Sequence, residues 1–182
     1  GEVGEQGLAL KKKIINITDN FQKIRVLGPN CTGITYIPED GTGFFSSFIP
    51  MGNTKSGPLA IVSQSGFING AYYPDFTERN PNLGLQYVIT IGNKMDIDEN
   101  DVLEYLLHDS AVQVIGMYLE SFTDVRKFIS LCQQAKEKFR KKVILLRSGF
   151  SSTGSKATTS HTGALAENSR LIQAAIKQSH II

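Results

Sequence analysis

Four short apolar runs, each followed by residues at helical spacing, constrain this fold more than any other feature of the chain. Leu59 to Val62, Leu85 to Ile91, Val112 to Leu119 and Val143 to Leu146 read as buried strands. The spacing predicts helices beginning near Ser65, over about Glu99 to His108, over about Thr123 to Phe139, and from Ala164 to about Gln178. In the third of these, Val125, Phe128, Ile129, Cys132 and Ala135 share one face. Apolar strands alternating with amphipathic helices predict an α/β fold, a parallel sheet covered by helices on both faces. In such a sheet the functional groups gather at the carboxyl ends of the strands. Upstream, Leu10, Ile14, Ile17 and Phe21 predict a helix over roughly Glu5 to Asn20, and Ile24 to Leu27 a short strand ending in Gly28-Pro29-Asn30-Cys31. Residues 32–57 are rich in Gly, Pro, Ser and Thr and read as the connection between two units, with a short strand at Phe44 to Phe48.

Composition narrows the function classes. The chain has 182 residues, 41% of them hydrophobic and 20% charged, which is enough for one sizeable core. Net charge is +2, and the basic runs Lys11-Lys12-Lys13 and Arg140-Lys141-Lys142 read as solvated faces, so no nucleic-acid partner is expected. The two cysteines, Cys31 and Cys132, do not make a disulfide scaffold, and Cys132 reads as a small core residue. No Cys/His spacing suggests a zinc site, so no metal ligands are expected. No run is apolar enough to span a bilayer and no signal peptide opens the chain, which makes the cytoplasm the expected location. Both ends read as cut, as in a fragment of something longer.

Four segments should share the carboxyl edge of the sheet. Ser63-Gln64-Ser65-Gly66 runs from strand into helix, and its backbone N–H groups and two hydroxyls form an anion site by geometry and helix dipole. The same residues also read as a Ser N-cap with a Gly for a tight turn. Gly92-Asn93-Lys94-Met95-Asp96-Ile97-Asp98 reads as a polar turn with an acidic helix start. In Tyr118-Leu119-Glu120-Ser121, Glu120 stands at a strand end, where a carboxylate can orient a histidine or simply begin a helix. The fourth is GFSSTGSKATTSHTG, Gly149 to Gly163, a mobile small-residue loop with a single imidazole, His161. A neutral ring nitrogen can carry a phosphoryl group when a carboxylate holds the N–H of the other, and a lone loop histidine can also be merely exposed. His108 and His180 suggest no chemistry. No GxSxG turn supports a serine hydrolase.

Five of these segments carry a resemblance. GPNCTG (Gly28 to Gly33), IVSQSG (Ile61 to Gly66), IGNKMDID (Ile91 to Asp98), YLES (Tyr118 to Ser121) and SHTGALA (Ser160 to Ala166) stand in the order found in NDP-forming acyl-CoA synthetases. The chain resembles above all their ADP-forming acetyl-CoA synthetase (acetate–CoA ligase) branch, over essentially its whole length. Succinyl-CoA synthetase α subunits are similar but more distant, with an SRSG-type turn and a GHAGA-type histidine segment.

The resemblance implies a flavodoxin-like CoA-ligase domain over residues 55–182 that carries the phosphohistidine loop. It implies that residues 1–54 are the C-terminal tail of a Rossmann-like CoA-binding domain and its connection. His161 would be the phosphorylated residue and Glu120 the carboxylate that orients it. Ser63, Gln64, Ser65 and Gly66 would bind phosphate, with Asn30, Cys31 and Asn93 near the CoA thiol and acyl group. The implied reaction is acetyl-CoA, or another acyl-CoA, + ADP + phosphate ⇌ acid + ATP + CoA, through acyl phosphate and phosphohistidine. Its cofactors would be CoA and ADP/ATP with Mg2+, the nucleotide held by an ATP-grasp domain or β subunit absent here, in an oligomer. The fragment alone is then expected to be inactive. Two positions depart from the family pattern: Glu167 stands where Gly is usual, and Tyr72-Tyr73-Pro74 interrupts the helix after SQSG, predicting a kink or an early end. The alternatives are a succinyl-CoA synthetase α-like subunit, against the SQSG and SHTG wording, and a non-catalytic CoA-sensing regulatory module. Retention of both His161 and Glu120 argues for chemistry.

Overall fold

A computed structural model describes residues 4–21, 23–43, 45–47, 54–68, 78–80, 82–148, 176 and 181. Among these, helix α1 spans Gly4–Asn20, and strands β1 and β2 span Gly33–Tyr36 and Phe45–Ser47. The alternating part follows as β3 (Leu59–Ser63), β4 (Leu85–Thr90), α2 (Glu99–His108), β5 (Val114–Leu119), α3 (Val125–Glu137) and β6 (Lys142–Arg147). Of the expected helix over Ala164 to Gln178 only Ile176 is described, and it is helical; the Tyr72–Pro74 interruption, Glu167 and the His161 loop lie outside the described residues.

The strands form one sheet in the order β2-β1-β4-β3-β5-β6. The four run-derived strands, β4-β3-β5-β6, are all parallel. Their order reverses at β3, the flavodoxin-like pattern, and leaves a crevice where the chain leaves β3 and β5 in opposite directions. Ser63 is in register with Thr90 on one side and Tyr118 on the other, so three strands end at one level.

Two helices cover one face. α2 starts at Asp98, whose carboxylate accepts the Asn100 and Asp101 N–H groups while Asp101 reaches back to the Asp98 N–H. α3 starts at Asp124, whose side chain accepts from Arg126 and Lys127. The cap sets the beginning at Val125, two residues after the expected Thr123. Leu103, Leu106 and Leu107 of α2 and Phe128, Leu131, Cys132 and Ala135 of α3 meet Ala60, Val62, Ile115, Met117 and Leu119 of the sheet in one core. Burial pushes the Cys132 thiol up to about 12, as its expected core position requires.

In the first 57 residues the helix and the strand near Phe45 stand where expected, and residues 24–36 differ. Ile24 to Leu27 is not a sheet strand. It runs extended beside the loop after β4, where Ile97 N–H donates to Val26 O at 3.1 Å, Met95 N–H to Gly28 O at 2.9 Å and Asn93 N–H to Pro29 O at 2.9 Å. Asp96 closes the pairing by accepting from Val26 N–H at 2.7 Å and from Arg25 Nε. The region read as a connection supplies the expected short strand, β2, and a second, unexpected one, β1, antiparallel at the sheet edge: β1 to β4, and β2 to β1. Buried Thr90 holds β1, its Oγ1 accepting the Thr32 and Gly33 N–H groups at 2.7 and 2.8 Å. β1 escaped notice because four residues between Gly and Pro carry little periodic signal. On α1 the expected apolar face exists, but Leu10, Ile17 and Phe21 are more than half exposed.

Gly92 sits where the two loops touch. Its φ is +53, and a Cβ there would overlap the Pro29 carbonyl oxygen. Gly92→Ala is expected to cost about 1–3 kcal/mol, the range for a strained backbone position, read as a lower urea midpoint. A midpoint unchanged from the parent would refute this contact as a constraint.

Candidate functional site

The crevice at the strand reversal opens into a cavity of about 730 Å³. Of the residues singled out from the sequence, Asn30, Gln64, Ser65, Gly66, Asn93 and Glu120 line it. Leu8, Leu10 and Ile14 of α1 form an apolar wall, with Phe67 and Met95. Cys31 is not among the lining residues; its Sγ donates to the Leu27 carbonyl at 3.6 Å. His161 lies outside the described residues.

The turn after β3 is built from its own side chains. Ser63 is fully buried, its Oγ donating to the Ser65 carbonyl at 2.7 Å and accepting the Ser65 N–H at 3.1 Å. Its hydroxyl thus shapes the turn from beneath and does not face the cavity. A helical turn begins at Gly66. The chain leaves β3 pinned on both sides: Gln64 N–H donates to Tyr118 O and Ile91 N–H to Ser63 O, both at 2.9 Å. Ser65 and Gly66 are left at the cavity wall with backbone groups at a helix start, an arrangement suited to an anion.

At the cavity wall runs a buried ionic cluster that sequence reading did not single out. Lys94 Nζ meets Glu99 Oε2 at 2.8 Å, with the two side chains 6% and 0% exposed. Lys94 Nζ also donates to the Ser121 carbonyl at 2.8 Å. Glu99 Oε1 accepts the Thr123 N–H at 2.6 Å and the Asn100 Nδ2 group at 3.4 Å. Lys94 takes a left-handed backbone, φ +51, to reach inward. The available signal was a lysine five residues before a glutamate that opens an apolar helix, and it reads as ordinary surface polarity until the loop geometry is known. The pair ties the loop after β4 to the loop after β5. Asn93, one residue earlier, lines the cavity, and among the described residues its buried Nδ2 has no hydrogen-bond partner. A buried donor left without a partner beside a cavity fits a ligand acceptor such as a phosphate or carbonyl oxygen, reached by a small turn of the amide. Among the described residues, no group of three His, Cys, Asp or Glu side chains could hold a metal ion, and no helix is long and apolar enough to cross a membrane.

Residues 56–182 match the model of the succinyl-CoA ligase-like flavodoxin domain. The chain belongs to that family. Similar proteins of this family include the ADP-forming 4-hydroxybutyrate–CoA ligase of Nitrosopumilus maritimus, 37% identical over 100% of this chain and 25% of the relative. The α subunit of ADP-forming acetate–CoA ligase I of Pyrococcus furiosus is 34% identical, over 100% of this chain and 37% of the subunit. Among solved structures, the dinucleotide-forming acetyl-coenzyme A synthetase 1 of Ca. Korarchaeum cryptofilum, in complex with phosphate and ADP, superposes with a TM-score of 0.84 at 31% identity. That match covers 96% of this chain and 36% of the synthetase chain. The chain therefore spans between about a quarter and two fifths of the length of these relatives.

For this flavodoxin-like domain the Lys94–Glu99 pair should matter most for stability. Lys94→Met leaves Glu99 buried and unpaired and is expected to cost about 3–5 kcal/mol. Adding Glu99→Gln to Lys94→Met should recover part of that loss in urea unfolding. A loss in the double variant equal to the sum of the Lys94→Met and Glu99→Gln losses would show that the two side chains act independently.

Proposed function

We propose that this chain is the phosphoryl-accepting part of a cytoplasmic ADP-forming acid–CoA ligase that acts on a short-chain acyl-CoA. The observation that carries the reading is the cavity at the strand reversal, which gathers Asn30, Ser65, Gly66, Asn93 and Glu120 from four separate loops. Support also comes from the relatives, which are ADP-forming ligases of acetate and of 4-hydroxybutyrate.

The reaction divides into three balanced steps. Phosphate attacks the thioester carbonyl carbon, the C–S bond breaks, and CoA leaves with an acyl phosphate remaining. A neutral ring nitrogen of His161 then attacks phosphorus, the P–O bond to the acyl group breaks, and the free acid leaves. ADP finally takes the phosphoryl group from the histidine and becomes ATP. The helix start at Gly66 holds a phosphate oxygen through its backbone N–H, the Ser65 N–H being taken by Ser63 Oγ, and the Asn93 Nδ2 group supplies a donor to an acyl or phosphate oxygen. Glu120 accepts the other ring N–H of His161, fixes its tautomer and favours the charged phosphohistidine. In this reading ADP/ATP with Mg2+ is held by an ATP-grasp domain or β subunit, to which the small-residue loop carries the phosphoryl group. The N-terminal part through Asn30 belongs to a CoA-binding domain. The exposed Leu10, Ile17 and Phe21 support that assignment: burying the remaining half of each against a further domain would contribute roughly 1–1.5 kcal/mol.

The test uses the complete ligase and γ-labelled ATP. Acid-labile, base-stable label is expected on the protein and should be lost in His161→Asn. Glu120→Gln should label roughly a hundredfold more slowly, the scale of a mispositioned reacting group. Label that persists in His161→Asn removes that residue from the mechanism. Normal labelling in Glu120→Gln removes the proposed role of the carboxylate.

A further inference from the structure

The carboxamide of Gln64 has its hydrogen-bonding groups turned away from the anion turn on which it sits. Its Oε1 accepts two successive backbone N–H groups, those of Glu120 at 3.0 Å and Ser121 at 3.2 Å. Its Nε2 donates to Ser121 Oγ at 3.2 Å. Its own N–H holds the Tyr118 carbonyl at 2.9 Å. The side chain is buried at the edge of the cavity and bridges the ends of β3 and β5. On the far side of the same segment, Lys94 Nζ grips the Ser121 carbonyl and Glu99 the Thr123 N–H.

We propose that Gln64 is a positioning residue that acts through Glu120, clamping the Glu120–Ser121 peptide to the phosphate turn so that carboxylate and anion site stay in fixed relation. The proposal rests on the reading of Glu120 and His161 above. Its physical content is simple. A carboxylate that must meet an imidazole within hydrogen-bond distance cannot sit on a freely moving strand end. An amide acceptor shared by two adjacent N–H groups fixes the peptides on either side of the Glu120 Cα, and Lys94 holds the following peptide through the Ser121 carbonyl. Gln suits the position because it is neutral: it offers an acceptor to the two N–H groups and a donor to the hydroxyl without adding charge beside a phosphate.

The inference separates Gln64 from a phosphate ligand by two measurements on the complete ligase. The first is a double-mutant cycle on histidine labelling from ATP. In the wild-type background Gln64→Met should slow labelling about ten- to a hundredfold, with the KM for phosphate in the forward reaction changed less than about threefold. In the Glu120→Gln background the same substitution should slow it less than about twofold, because the residue through which it acts is already lost. Equal slowing in both backgrounds, or a large rise in phosphate KM with the labelling rate intact, overturns the role assigned to Gln64 while leaving the reading of the site standing. Normal labelling in Glu120→Gln alone instead overturns that reading. The second measurement needs no variant and so survives a Gln64→Met protein that fails to fold. Hydrogen exchange on the wild-type ligase should find the Glu120 and Ser121 amides protected at least about a hundredfold against the unstructured rate. Unprotected amides there would show that the clamp does not hold.

Discussion

The candidate site depends on one buried ion pair. Lys94 and Glu99 are both withdrawn from solvent, which is costly for two charges unless every remaining donor and acceptor is used. Here they are used. Lys94 also binds the Ser121 carbonyl, and Glu99 the Thr123 N–H and the Asn100 amide. Remove the pair and the loops after β4 and β5 lose their common anchor. With it, the stretch between Glu120 and Thr123 is held by side chains from two other strand ends, Lys94 and Glu99 on one side and Gln64 on the other.

The second constraint is the way the N-terminal segment is laid onto the same loop. Residues 26–29 pair with residues 93–97 through alternate backbone bonds, and Asp96 ties Val26 and Arg25 to them. Gly92 permits the close approach, because a side chain there would strike Pro29. This arrangement brings Asn30 and the wall of α1 to the cavity. A region that reads as the end of one unit is in this way structurally part of the site of the next, and β1 extends the sheet across the apparent join.

Much of the fold was legible for a clear reason. Four apolar runs separated by helical spacing admit few arrangements other than a parallel sheet, and the runs fall within one or two residues of β3, β4, β5 and β6. The bounds of α2 were readable because Asp98 and Asp101 form a capping box before an apolar helix. β1 was not readable, since its support comes from Thr90, more than fifty residues away. Nor was the failure of Ile24–Leu27 to join the sheet: its apolar pattern is that of a strand, and only the competing partners at residues 93–97 decide otherwise. Among the site residues, Asn30, Gln64, Ser65, Gly66, Asn93 and Glu120 were found because groups at strand ends converge in such a sheet. Ser63 and Cys31 were grouped with them by adjacency, yet their polar groups turn to the backbone beside them.

By itself, then, the sequence determined the class of fold, the strand ends that carry function and the types of residue placed there, because periodicity and local capping are properties of neighbours along the chain. Which of those residues touch one another was decided only in three dimensions. That Lys94 turns inward to Glu99, and that Gln64 grips Glu120 and Ser121, depends on hydrogen bonds across more than fifty residues in the second case and on a left-handed backbone at Lys94 in the first. The Gln64 contact joins two separate strand ends, and the Lys94–Glu99 pair, though close along the chain, is fixed inward by the Ser121 carbonyl and Thr123 N–H of another loop.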